Sequence, residues 1–142
     1  MSGSGFQNPA DSVIRDILTH PRRIAVVGCS PRPERPSYQV ASYLMDAGYR
    51  VIPVNPACEE ILGEKCYPGL LGIPELVDIV DVFRKPEHVP EIVEQAIRIK
   101  AKGVWMQDGV LSPEAAEMAR AKGLRVIEND CIMRQHLSRF GR

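Results

Sequence analysis

Aromatic side chains are scarce in this sequence: one Trp, four Tyr and three Phe make up 6% of the chain. The core must therefore be filled mainly by aliphatic residues, and the 44% hydrophobic content is enough for a globular interior. Net charge is also lacking. The 18 Lys and Arg residues balance 18 Asp and Glu, which argues against a nucleic-acid binder with its usual basic excess. No apolar run approaches the roughly 20 residues of a membrane-spanning helix. No charged-then-apolar segment of the secretory kind opens the chain. The four cysteines, Cys29, Cys58, Cys66 and Cys131, contain no C-x-x-C pair. Their spacing gives neither a zinc signature nor a compact disulfide framework, and reads as reduced thiols in a cytoplasmic protein. A Cys58–Cys66 disulfide is the local alternative. The dinucleotide fingerprint G-x-G-x-x-G is missing as well.

What is present is αβ grammar. A length of 142 residues suits one domain with a sizeable core. Residues 1–8 read as a flexible opening, and residues 9–142 as the domain. Asn8-Pro9-Ala10-Asp11 predicts a capped helix start, with Val13, Ile14, Ile17 and Leu18 as the apolar face. Ile24 to Val27 is a continuous apolar run, as expected of a buried parallel strand. A helix opens at Ser37 and ends at Gly48. Strands are predicted at Arg50–Val54, Asp78–Phe83, Gly103–Gln107 and Leu124–Ile127. Helices are predicted over 87–102, from Ser112-Pro113 to Gly123, and from Cys131 to Phe140. The stretch Cys58 to Pro74 reads as loop with a short helix near Leu70. The segments Ala47-Gly48, Ala101-Lys102-Gly103 and Ala121-Lys122-Gly123 each precede a strand and read as helix end plus Gly cap. The expected fold is α/β: a doubly wound three-layer sandwich around a parallel sheet of about five strands.

Right-handed crossovers place every strand's C-terminal end along one edge of such a sheet, where ligands bind. The candidate loops are therefore 28–37, 55–56, 83–86, 107–109 and 129–131. In the first, Gly28 allows a sharp turn, and Cys29, Ser30, Arg32, Arg35, Pro36 and Ser37 follow. The two arginines and two serines offer charge and hydrogen bonds to phosphate oxygens. Asn55, ahead of Pro56, stands where an NAD site usually has an acid for the ribose hydroxyls. Arg84 and Lys85 form a basic pair, and Phe83 or Pro86 can face a ring. The plain alternatives are a solvated surface loop for 28–37, a simple turn at Asn55, exposed charge complementing neighbouring acids for Arg84 and Lys85, and a core position for Phe83. Catalytic signals are thin. His20, His88 and His136 have no spaced partner. Cys29 and Cys131 fall at the same edge, either as reactive thiols or as ordinary buried cysteines.

Taken in order, Val26-Val27-Gly28-Cys29-Ser30, Pro36-Ser37-Tyr38, Pro53-Val54-Asn55-Pro56, Asp81-Val82-Phe83-Arg84, Val104-Trp105-Met106-Gln107-Asp108-Gly109 and Asp130-Cys131 resemble the small single-domain CoA-binding proteins. Their Rossmann-like domain is related to the CoA-binding domain of the succinyl-CoA synthetase alpha subunit. The resemblance runs from about Pro9 to Phe140. It implies that the Gly28 turn and the following helix carry the phosphates of coenzyme A. It implies that Asn55, Pro56, Phe83, Arg84 and Lys85 border the nucleotide, and that Gln107, Asp108 and Gly109 lie near the pantetheine arm. The expected function is reversible binding of CoA or an acyl-CoA, as a non-catalytic carrier, sensor or partner module. No nucleic acid, membrane or metal is expected, and a protein partner is left open. The alternatives are an NAD(P)-linked oxidoreductase, an acyl-CoA-dependent transferase, or a mixed disulfide between CoA and Cys29 or Cys131.

Overall fold

The computed structural model describes residues 8–21 and 23–141. In chain order the strands are β1 (Arg23–Val27), β2 (Arg50–Val54), β3 (Glu60–Ile61), β4 (Glu64–Lys65), β5 (Ile79–Val82), β6 (Gly103–Met106) and β7 (Arg125–Ile127). The helices are α1 (Asp11–Thr19), α2 (Pro36–Asp46), α3 (Val89–Arg98), α4 (Pro113–Ala121) and α5 (Ile132–Phe140). Five strands form one parallel sheet in the order β2-β1-β5-β6-β7, and β3 and β4 form a separate antiparallel hairpin. The expected doubly wound, Rossmann-like α/β sandwich is the fold observed.

Alternation along the strands sends side chains to two cores. On one face Ala25, Val27, Val80, Val82, Val104 and Met106 pack against α3 and α4. On the other, Ile24, Val26, Ile79, Trp105 and Ile127 pack against α1, α2 and α5. Because both faces are covered, the strands carry almost no polar residue. Beyond the arginines that open β1, β2 and β7, the sheet carries one charged residue, Asp81 on β5, which is 0% exposed.

Several local expectations are corrected. Asn8 does not cap α1. Ala10 is the N-cap residue and makes no side-chain cap bond. The Asn8 amide instead clamps the backbone of Glu128: Nδ2 donates to the Glu128 carbonyl at 2.9 Å, and Oδ1 accepts the Glu128 N–H at 2.7 Å. Asn8 is thus tied down, while the rest of the expected flexible opening, residues 1–7, lies outside the described residues. Helix α2 begins one residue before Ser37, at Pro36. The long helix expected over 87–102 is a 3-10 turn at Pro86–His88 followed by α3. Its C-terminal left-handed residue is Lys100, with φ +63°, not Gly103. Gly103 opens β6, where a Cβ would stand 3.3 Å from the Arg125 carbonyl oxygen. The loop after Cys58 contains the β3–β4 hairpin, turned at Leu62 and Gly63 with φ of +55° and +79°. By contrast, Ser112 caps α4 as expected, accepting the Ala115 N–H.

Candidate functional site

The strand order reverses direction between β1 and β5. The chain leaves β1 for β2 on one side, then crosses back to β5 on the other. The crevice beyond the C-terminal ends of these two strands is the switch point of the sheet, where open α/β folds hold their ligands. Gly28 and Phe83 meet there. Gly28 adopts φ +86°, and a Cβ on it would lie 2.5 Å from the Phe83 carbonyl oxygen and 2.9 Å from Cδ of Arg84. Only glycine lets the two turns approach this closely. The Gly28 N–H donates to the Val54 carbonyl at 2.9 Å and the Phe83 N–H to the Val27 carbonyl at 2.8 Å. The β1, β2 and β5 loops are thereby held as one unit.

A hollow of about 220 Å³ opens at this point. Gly28, Pro56 and Arg84 line it together with Pro68, Gly69 and Leu70. His88, Glu91, Ile92 and Gln95 complete it from the Pro86–His88 turn and α3. Sequence reasoning missed this second group. Its signal was the i, i+3, i+4, i+7 spacing of positions 88, 91, 92 and 95, one stripe of a helix. Two larger hollows, of about 570 and 600 Å³, lie elsewhere. The first is at the opposite edge of the sheet and the second beside the end of α2. Neither is at the switch point, so volume alone does not locate the site.

The side chains of Arg32, Arg35, Arg84 and Lys85 have no ion-pair partner among the described residues. Arg32, Arg35 and Lys85 are exposed and Arg84 is half-buried. Ser37 is buried, and its Oγ accepts the Ser30 N–H at 2.9 Å. Ser30 Oγ in turn accepts the Arg32 N–H at 3.1 Å. These bonds shape the loop into the first turn of α2, where Pro36 fixes the backbone without needing a donor. Asn55 braces the same loop: its Nδ2 donates to the Cys29 carbonyl at 2.8 Å, and its Oδ1 accepts the Ala57 N–H at 2.8 Å. Phe83 is half-buried against the α1, α2, α5 core.

Gln107 and Asp108 are brought to α5, and Gly109 to the loop before it, rather than to the hollow. Gln107 is buried, and its Oε1 accepts the Ile132 N–H at 3.1 Å, serving one free donor at the start of α5. Arg134 grips Asp108 with two hydrogen bonds, at 3.0 and 2.8 Å, and this contact holds the Asp108 carboxyl below its usual range. The Gly109 N–H donates to Asn129 Oδ1 at 2.7 Å.

Cys29 is 0% exposed beneath the Gly28 turn. Burial, reinforced by neighbouring Cys66 and Asp81, pushes its thiol up to about 12. At neutral pH it is a protonated thiol, a poor nucleophile. Asp81 is buried directly along the strand from Phe83, and neither carboxyl oxygen has a hydrogen-bond partner among the described residues. Burial raises its pKa well above the usual carboxylate value. The histidines do have contacts. His20 Nε2 lies 3.1 Å from Asp16 on the exposed end of α1, and His136 Nδ1 lies 2.8 Å from the Tyr43 hydroxyl. Both are remote from the switch point.

Comparison with known proteins gives a consistent picture. The family described as CoA binding domain matches residues 22–136. A Bacillus subtilis (strain 168) protein, YneT, is 43% identical over 131 residues, covering 92% of this chain and 97% of its own length. A solved structure of a protein from Pyrococcus horikoshii OT3 is 45% identical with a TM-score of 0.90, covering 96% of this chain and 98% of that one. An ADP-forming acetate–CoA ligase II of Archaeoglobus fulgidus is 29% identical over 136 residues, or 86% of this chain. The chain spans only 20% of that ligase.

Proposed function

The chain belongs to the CoA binding domain family, and from this premise we propose that it binds coenzyme A or an acyl-CoA reversibly at the β1–β5 switch point. It acts as a carrier, sensor or partner module rather than carrying out acyl chemistry itself. The observation that carries this reading is the close approach of the Gly28 and Phe83 turns beneath unpaired Arg84. It seats the Arg84 side chain against Gly28, so that Arg84 lines the hollow. A pyrophosphate needs close backbone approach, cationic hydrogen-bond donors and a helix N-terminus. Arg32, Arg35 and Lys85 add charge for the third phosphate of CoA, which NAD lacks. Asn55 is committed to bracing two loops, so it does not supply the acid an NAD ribose requires. Protonated, enclosed Cys29 disfavours the mixed-disulfide alternative at that position.

Calorimetric titration of ligand-stripped protein with CoA, using NAD and NADP as controls, tests the proposal. CoA alone should bind. Arg84→Ala should weaken CoA by about 1–3 kcal/mol, the loss expected for a charge-assisted phosphate contact. Dinucleotide binding without CoA binding would overturn the reading. Full CoA affinity in Arg84→Ala would remove Arg84 from the phosphate contacts.

A further inference from the structure

The hollow of about 570 Å³ at the opposite edge of the sheet has no part in the CoA reading. Its volume is that of a small-molecule site. Ile17, Ile79, Ile97 and Leu124 form its apolar wall. Its rim is cationic, and the two Ala-Lys-Gly turns explain why. The turns before β6 and β7 are hydrogen-bonded neighbours, the Arg125 N–H donating to the Lys102 carbonyl at 3.0 Å. They bring Lys102 and Lys122 to the same opening, with Lys100 and Arg125 beside them. The acids on the lining are already engaged. Asp16 pairs with Arg125 and His20, and Asp78 accepts the Arg23 N–H at 3.0 Å and faces Lys102 at 3.6 Å. Lys100 and Lys122 have no ion-pair partner among the described residues.

These lysines stand near the negative ends of helices, a placement that by itself favours cations. That role is already filled. Arg98 and Arg120 occupy the last turns of α3 and α4. The terminal carbonyls are taken by backbone donors, Ala101 N–H to Ala96 and Leu124 N–H to Ala119, both at 3.0 Å. Lys100 is moreover a costly choice. It adopts φ +63° just past the C-cap of α3, where α2 and α4 place Gly48 and Gly123. A side chain in this conformation is strained, and glycine is favoured there. The strain brings an unpaired ammonium to the rim of an apolar hollow.

We propose that this edge is a second binding site, for a small organic anion with an apolar body and a carboxylate, sulfonate or phosphate head. The apolar part rests on Ile17, Ile79, Ile97 and Leu124, and Lys100 and Lys122 hold the head. Naphthalene-1-sulfonate, with uncharged naphthalene-1-methanol as control, is a suitable probe on the full chain. Amide NMR shifts should move at Ala101, Gly103, Gly123 and Leu124, with or without saturating CoA. The Lys100→Gly, Lys122→Ser double variant should bind the sulfonate about tenfold more weakly. Lys100→Gly alone should also raise Tm by roughly 3 °C by releasing the strained backbone, which separates lost binding from lost folding. Equal binding of the alcohol, unchanged affinity in the double variant, or shifts confined to the Gly28 and Arg84 loops would overturn the proposal.

Discussion

At the scale of single residues, Asp81 is the one whose chemistry the fold works against. Its carboxyl sits in the middle of the sheet, 0% exposed, without a partner for either oxygen among the described residues. An ionised carboxylate there would lose its hydration with nothing in return, so burial raises its pKa and favours the protonated form. The unfolded chain ionises it above about pH 3.9. Between that pH and the raised folded value, the native state holds one more proton than the unfolded state. Asp81 therefore removes stability as pH rises, by up to about 1.4 kcal/mol per pH unit. Glu75 acts in the opposite sense. Arg50, and then Arg23, hold its pKa down to about 2, so its contribution is present above the unfolded carboxylate value and is lost as pH falls through the folded one. The Asp81→Asn variant does not titrate at this position. Its Tm relative to wild type should climb as pH rises above the unfolded carboxylate value and level off once the raised folded value is passed, a trend that thermal melts at increasing pH would read directly. A constant difference between the two proteins would mean that Asp81 finds a partner or water in solution. The sequence did not reveal this residue, because one Asp within Asp78-Ile79-Val80-Asp81-Val82-Phe83 looks like an ordinary polar interruption of a strand. Only the two covered faces make it exceptional.

At the scale of elements, what was legible followed from local rules. Ser112-Pro113 announced α4 because a cap and a first-turn proline act within four residues. The five parallel strands were legible because burial on both faces demands continuous apolar runs. Three elements were misread because local patterns hid the relevant partner. The β3–β4 hairpin turns through Leu62-Gly63, both at positive φ, where Asn-Gly would have been the recognisable signal. The C-terminal end of α3 was assigned to Gly103 because glycine is the usual left-handed residue, whereas Lys100 takes that conformation. Asn8 looked like a cap because it precedes a helical pattern, yet its amide reaches Glu128, 120 residues away. That clamp joins the segment before α1 to the end of β7, on the outer side of the sheet. Asn8→Ala should leave the Glu128 N–H and carbonyl to weaker partners, costing about 1–3 kcal/mol in urea unfolding. A midpoint equal to wild type would show that water replaces the clamp at no cost.

At the scale of the whole molecule, a formal net charge of zero conceals an uneven distribution. At the edge formed by the strand N-termini, Glu75 bridges Arg23 and Arg50, tying the starts of β1 and β2. At the switch-point edge Arg32, Arg35, Arg84 and Lys85 carry no such partner among the described residues. The loops of this edge were legible from topology, since right-handed crossovers bring the C-terminal ends of all parallel strands to the same side of the sheet. The wall contributed by His88, Glu91 and Gln95 was not, because its orientation depends on how α3 packs over β1 and β5. Gln107 and Asp108, expected beside a pantetheine arm, show a further limit: they are occupied by Ile132 and Arg134, contacts that sequence spacing cannot register. If the unpaired cations meet CoA phosphates, binding must weaken as salt screens them, because exposed charges interact over only about 8 Å at physiological ionic strength. CoA affinity should fall by about tenfold between roughly 0.05 and 0.5 M NaCl, with a shallower fall in the Arg84→Ala, Lys85→Ala double variant. An affinity independent of salt would assign CoA recognition to the apolar and backbone surfaces of the hollow. A steep fall unchanged in the double variant would move the phosphates to Arg32 and Arg35, at the entrance to α2.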